Sequence, residues 1–136
     1  MTTVADILNY LEAVAPDYMK MDWDNVGLNC GSLSASVTKV LIALDPFDHV
    51  CREAADFGAE LMVTHHPLIF QPIGSVTDET TIGKSLQTLI RHNISHICLH
   101  TNLDCAIGGV NDVLALKEAN GFSTVAIPDD GTATGK

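Results

Sequence analysis

Basic residues are scarce in this chain, and this limits its possible partners. Lys and Arg total 7 against 17 Asp and Glu, which gives a formal net charge of −10 at pH 7. Nucleic-acid backbones and anionic membranes repel a polyanion, so neither is expected as a main partner. No apolar run reaches the ~20 residues of a membrane span, and the N-terminal segment lacks signal-peptide features. We therefore expect a cytoplasmic protein.

Clustered cysteines are also missing. The 4 cysteines are widely spaced and form no CxxC pair, which is typical of reduced thiols and argues against a zinc finger or a disulfide framework. A hydrophobic fraction of 46% with 18% charged residues excludes a disordered or fibrous chain. The length of 136 residues predicts one domain. We place this domain at residues 1–121 and interpret residues 122–136 as a flexible tail.

The order of strand and helix patterns predicts an α/β fold. Four apolar runs have the length and composition of strands: 26–30, 40–44, 60–64 and 94–99. Four helix patterns begin at a capping signal formed by Thr3 and Asp6, after Asp45-Pro46, at Thr80 or Thr81, and at Val110. Strands and helices alternate from residue 40 onward, which predicts a mostly parallel sheet with helices on its faces.

Three local features of this pattern lead to specific expectations. The continuous apolar run 40–44 predicts a strand buried on both faces. Asp45 and Pro46 fit the N-cap and first position of a helix that ends at Gly58. Ile90 is assigned to the buried face of the helix that begins near Thr80.

His65 and His66 are the strongest chemical signal because they directly follow a predicted buried strand. Adjacent residues of an extended chain point to opposite sides, so this pair fits two separate metal ions, or one ion and one supporting role. The alternative is a pair of histidines that form ordinary hydrogen bonds in a polar loop.

A second polar group follows the next predicted strand. Asp104 offers a carboxylate that, with imidazoles, suits divalent zinc, manganese or iron; the alternative is an Asx-turn or helix N-cap. His100 fits a proton shuttle, a substrate contact or a group that supports a ligand, with a backbone-bonded buried histidine as the alternative. The carboxylates Asp22 and Asp24, on either side of Trp23, are interpreted as solvated loop residues.

An ordered set of motifs carries a family resemblance. Its segments are Ala15-Pro16, Trp23-Asp24-Asn25-Val26-Gly27-Leu28, Leu44-Asp45, Thr64-His65-His66-Pro67-Leu68-Ile69-Phe70, His100-Thr101-Asn102-Leu103-Asp104 and Gly108-Gly109-Val110-Asn111-Asp112. With these motifs the chain resembles the Nif-three-like family, the GTP cyclohydrolase I type-two homologues. The resemblance implies an α/β fold, a dinuclear metal centre and a toroidal homohexamer, with metal ligands at His65, His66 and Asp104.

The resemblance covers only the N-terminal half of the family pattern. Family members are about twice as long, and their remaining ligands, a histidine and a glutamate, lie in a second half that this sequence lacks. We expect a hydrolase that uses two divalent ions (Zn, Mn or Fe) on a nucleotide-like or phosphate-bearing small molecule, with His100 as the catalytic proton-transfer residue. The alternatives are a non-catalytic metal-binding assembly or interaction module, and an inactive fragment.

Overall fold

The computed structural model describes residues 1–119, 125–126 and 134–135. The helices are α1 (Val4–Val14), α2 (Asp48–Phe57), α3 (Thr81–Arg91), α4 (Thr101–Cys105) and α5 (Val110–Ala119), with a 3₁₀ turn at Asp17–Met19. The strands are β1 (Gly27–Cys30), β2 (Val40–Ala43), β3 (Leu61–Thr64), β4 (Ser95–Cys98), β5 (Val125–Ala126) and β6 (Thr134–Gly135).

A four-stranded sheet in the order β1-β4-β3-β2 forms the centre of the fold. β2, β3 and β4 are parallel, and β1 runs antiparallel to β4. One face packs against α2 and α3 through a cluster that includes Met62 and Leu89, and α1 covers the other face through Val4, Val63 and Ile97. The predicted α/β class, with a mostly parallel sheet and helices on its faces, is confirmed.

Local capping signals fix two helix ends as the sequence predicts. The Thr3 side chain accepts a hydrogen bond from the Asp6 amide, and the Asp6 carboxylate accepts one from the Thr3 amide, so α1 begins with a complete capping box. Gly58 ends α2 in the left-handed conformation, at φ 74°, where a residue without a Cβ is favoured. The predicted start of α2 is wrong, because Phe47 is the N-cap and Asp45 lies before the helix.

The prediction that residues 40–44 are buried on both faces is also wrong. β2 is an edge strand, and Ile42 is 79% exposed. Ile42 pairs with Val63, so it lies on the face of the sheet that α1 covers, but β2 is beyond the reach of this helix. The assignment of Ile90 to the buried face of α3 is wrong too, because Ile90 is 58% exposed. The buried residues of α3 are Gly83, Ser85, Leu86 and Leu89.

The C-terminal part of the chain is described in two short pieces. β5 and β6 pair antiparallel through Val125 with Gly135 and Ala126 with Thr134. The predicted domain boundary at residue 121 lies outside the described residues, as does most of the predicted tail, so both stay predictions. Within the described part of the chain, no helix has the length and apolar character needed to cross a membrane.

Candidate metal centre

Three histidines meet at the carboxyl edge of the parallel strands. His65 and His66 directly follow β3, and His100 lies two residues beyond the end of the neighbouring β4. The ring centroid of His65 lies 5.2 Å from that of His66 and 5.2 Å from that of His100, and the His66 and His100 centroids are 5.6 Å apart. One ligand nitrogen from each ring lies within 4.8 Å of the other two. The edge of an α/β sheet thus places these side chains together.

The expectation that His65 and His66 point to opposite sides is wrong. β3 ends at Thr64, and the two histidines lie in a bend where the alternation of an extended strand no longer applies. Their amides still donate to Ala43 O and Leu44 O of the segment that contains β2. The backbone is therefore anchored while both rings enter one cluster.

The Nδ1 atom of each clustered ring has a partner that only accepts hydrogen bonds. His65 Nδ1 lies 2.9 Å from Leu99 O, His66 Nδ1 lies 2.6 Å from Asp45 Oδ1, and His100 Nδ1 lies 3.0 Å from Asp24 Oδ1. A carbonyl or an ionised carboxylate requires the proton on Nδ1, so this network assigns the Nδ1–H tautomer to the neutral form of each ring. Each Nε2 is then left with a lone pair, which is the arrangement that metal-binding histidines adopt.

Asp45 and Asp24 are the carboxylates that sequence reasoning missed. Asp45 is bonded to His66 and does not cap α2. Asp24 is buried and not a solvated loop residue; it accepts hydrogen bonds from Asn25 N, Thr101 N, Thr101 Oγ1 and His100 Nδ1. Burial raises the pKa of the Asp24 carboxyl, but the hydrogen bonds from Thr101 and His100 outweigh this and hold the pKa below its ordinary value.

A sequence signal existed for one of these two residues. Asp45 follows β2, which is parallel to β3, so a parallel sheet brings it to the edge where His66 lies. Asp24 precedes β1 and reaches the same edge only because β1 is antiparallel to β4. No local pattern in the sequence indicates that antiparallel pairing.

Asp104 lies beside His65 and offers an unused oxygen. It belongs to α4, whose N-cap is His100, so the helix N-cap alternative for Asp104 does not hold. Asp104 Oδ1 is 3.5 Å from His65 Nε2. This contact does not have hydrogen-bond geometry, and Oδ1 is buried without a hydrogen-bond partner. A buried carboxylate oxygen left unpaired is costly unless a cation is bound nearby.

The donor set fits a divalent cation. Neutral imidazole nitrogens with a carboxylate oxygen are ligands that zinc, manganese and iron share. One ligand nitrogen from each histidine lies within 4.8 Å of the other two, and the unpaired Asp104 Oδ1 lies 3.5 Å from His65 Nε2. The residues present are therefore compatible with the metal centre that the family resemblance implies.

Aromatic residues and a cleft border the cluster. The Trp23 ring lies edge-on to His100 at 6.3 Å and to Phe70 at 5.8 Å, and both aromatic side chains are partly exposed. A cavity of about 190 Å³ adjoins His66 and Asp45 and continues past Phe70 to the start of α3. A second cavity of about 220 Å³ at the opposite end of β4 contains none of the site residues.

Comparison with known proteins identifies the family. Residues 2–124 match the model of the Duf34/NIF3 family (NGG1p interacting factor 3). A Clostridium perfringens protein named GTP cyclohydrolase 1 type 2 homolog is 42% identical over 124 residues, which are 91% of this chain and 47% of that protein. The chain belongs to the Duf34/NIF3 family.

Solved structures agree with this assignment. The crystal structure of a Bacillus cereus protein related to NIF3 matches 93% of this chain and 35% of that one, at 37% identity and a TM-score of 0.82. Reduced HcgD from Methanocaldococcus jannaschii matches 96% of this chain and 52% of that one, at 34% identity and a TM-score of 0.80. The chain therefore spans about half, or less, of the length of these relatives.

Proposed function

We propose that His65, His66 and Asp104 bind divalent cations, and that the centre hydrolyses a nucleotide-like or phosphate-bearing small molecule. The observation that carries this proposal is the convergence of three histidine rings whose Nδ1 atoms are all engaged. The unpaired buried oxygen of Asp104 beside His65 supports it further. The name of the Clostridium perfringens relative supports the nucleotide-like substrate class.

The chain's own residues have separate roles in this proposal. A divalent cation bound here supplies Lewis-acid chemistry, because it polarises a substrate oxygen and activates water. His100 holds its proton at Nδ1 toward Asp24 and offers Nε2 to accept a proton within the cluster. Trp23 lies edge-on to His100, and Phe70 lies edge-on to Trp23, so both aromatic rings border the site.

The number of donors limits how many cations this chain holds alone. Catalytic zinc sites use three protein ligands for a single ion. His65, His66 and Asp104 therefore suffice for one cation, and a second cation needs donors from elsewhere. We propose that the remaining donors of a two-metal centre come from the second half of the family pattern, and that the protein forms a homo-oligomer in the cytoplasm, which the family resemblance implies is a hexamer.

Metal binding is tested by direct analysis of the purified full chain. We expect the wild-type protein to retain zinc, manganese or iron, and to bind added Co²⁺ with a change in the fluorescence of its single tryptophan, Trp23. His65→Ala and Asp104→Asn should lose the metal, whereas His49→Ala, at an exposed histidine outside the cluster, should retain it. Wild-type metal content in both site variants would refute the proposal.

Hydrolysis is tested with a panel of nucleotides and phosphoesters in the presence of each metal. His100→Ala should keep the bound metal and lose turnover. Loss of the metal in this variant would make His100 a ligand, a role that its position within the three-histidine cluster also allows.

A non-catalytic metal-binding module is the second candidate function. The observation that favours it is that the chain spans only 47% of its Clostridium perfringens relative. Bound metal without turnover on any substrate of the panel would support this alternative.

A further inference from the structure

We propose that Asp24 is a positioning residue for His100. By accepting the Nδ1 proton, Asp24 fixes the tautomer and orientation of the ring, so that the unprotonated Nε2 is presented to the histidine cluster. The inference rests on the proposed function only for the use made of Nε2; the positioning itself is a property of the metal-free chain.

Four donors surround the Asp24 carboxylate. Oδ1 accepts from Asn25 N at 2.9 Å and faces His100 Nδ1 at 3.0 Å. Oδ2 accepts from Thr101 N at 3.0 Å and from the Thr101 hydroxyl. The side chain is 0% exposed. Because the other three partners donate, the carboxylate is held ionised, and His100 Nδ1 must donate as the fourth.

The loop that carries Asp24 is tied to the same elements as His100. Asp24 N donates to Met21 O, Met21 N donates to Thr101 Oγ1, and Asn25 Nδ2 donates to Ile69 O. These bonds fix the loop against the start of α4 and against the segment that follows His66. The carboxylate therefore has little freedom to leave the His100 ring, and a fixed partner of this kind sets ring orientation.

Asp24 also caps the start of α4 from outside the helix by accepting from Thr101 N, and this structural role has to be separated from the positioning of His100. The cap uses Oδ2 and Thr101, whereas the contact with His100 uses Oδ1. Thr101→Val removes the hydroxyl that donates to Oδ2 and accepts from Met21 N, and it keeps the Thr101 N donor and both partners of Oδ1. It is therefore a control for a purely structural effect.

Asp24→Asn separates the two roles because an amide has one acceptor oxygen. The two Thr101 donors are buried, whereas Asn25 is exposed, so the amide oxygen should take the Oδ2 position. The NH₂ group then faces His100 Nδ1 and can only donate to it. His100 should change to the Nε2–H tautomer, with a proton directed into the cluster. Replacing the carboxylate partner of a catalytic histidine by an amide is known to have this effect.

The experiment measures ring tautomers by long-range ¹H–¹⁵N NMR on the metal-free full chain, at a pH of about 8 where free imidazoles are neutral. The chain has 6 histidines, and comparison with His100→Ala identifies the His100 signals. We expect His100 to be Nδ1-protonated in the wild type and in Thr101→Val. The same tautomer is expected in the control Asp22→Asn, which changes an exposed carboxylate two residues before Asp24. Only Asp24→Asn should be Nε2-protonated.

Each outcome has a defined meaning. An unchanged tautomer in Asp24→Asn overturns the proposal, and so does the same change in Thr101→Val, which would show that Asp24 acts only through the α4 cap. With metal bound, Asp24→Asn should lower turnover by about 10–100-fold, the usual effect of removing such a partner. If the tautomer changes as expected but no form of the protein binds metal, the positioning stands and the proposed function fails.

Discussion

Acid should destabilise this protein through a histidine outside the candidate site. His96 is fully buried in β4, and burial lowers its pKa from 6.5 to about 4. Thr64 Oγ1 donates to His66 O, so it accepts from His96 Nε2–H at 2.7 Å. His96 Nδ1 has no hydrogen-bond partner. Protonation of Nδ1 would bury a charge and a donor without an acceptor, which explains the direction of the shift.

The sign and size of the effect follow from proton linkage. The unfolded chain binds a proton at His96 below about pH 6.5, whereas the folded protein resists protonation down to about pH 4. Stability is therefore complete above the unfolded pKa and is lost as the pH falls through this window. At about 1.4 kcal/mol for each pH unit, the full loss is about 3 kcal/mol, and about 2 kcal/mol is lost between pH 7 and pH 4.5.

Urea unfolding of the wild type and of His96→Gln tests this reasoning. Glutamine keeps a donor for Thr64 Oγ1 but has no proton to gain. Both proteins contain His65, His66 and His100, so the contribution of these rings cancels in the difference. Between pH 7 and pH 4.5, the free energy of unfolding of the wild type should fall by about 2 kcal/mol more than that of the variant. Parallel pH profiles for the two proteins would show that His96 is not held neutral by burial.

Two further predictions concern the sheet and the thiols. Leu61→Ala should cost about 2–5 kcal/mol in urea unfolding because Leu61 is fully buried, whereas Ile42→Ala should change stability by less than about 0.5 kcal/mol; equal costs would contradict an open β2 face. Burial raises the pKa of Cys51 to about 11 and of Cys98 to about 12, so a thiol reagent at neutral pH should modify the exposed Cys105 first, as mass spectrometry can show. Early modification of Cys98 would contradict its burial.

Much of the fold could be predicted because the relevant signals are local. The Thr3–Asp6 capping box and the Gly58 helix end depend on residues a few positions apart, and both are confirmed. The order of strands and helices also predicts the parallel sheet. The exposure of β2 could not be predicted, because an apolar run such as 40–44 has the same composition in a central strand and in an edge strand.

The candidate site could be predicted less completely, for a related physical reason. His65, His66 and His100 follow strand patterns, so their meeting at one edge was predictable. The partners of their Nδ1 atoms were not, because the contact between His100 and Asp24 joins residues 76 positions apart. The expectation that the side chains of His65 and His66 point to opposite sides also failed, because the strand ends at Thr64, directly before them.

The tautomers of the candidate site are set by the sheet as a whole. Leu99 O extends from β4, Asp45 follows β2, and Asp24 precedes β1, so each Nδ1 acceptor comes from a different strand connection. Strand pairing brings each acceptor next to its histidine before any ligand is needed. The three rings are therefore oriented by folding, and under the proposed function a cation that binds His65 and His66 does not require new ordering of these rings. Such preorganisation is what the proposed metal centre would require.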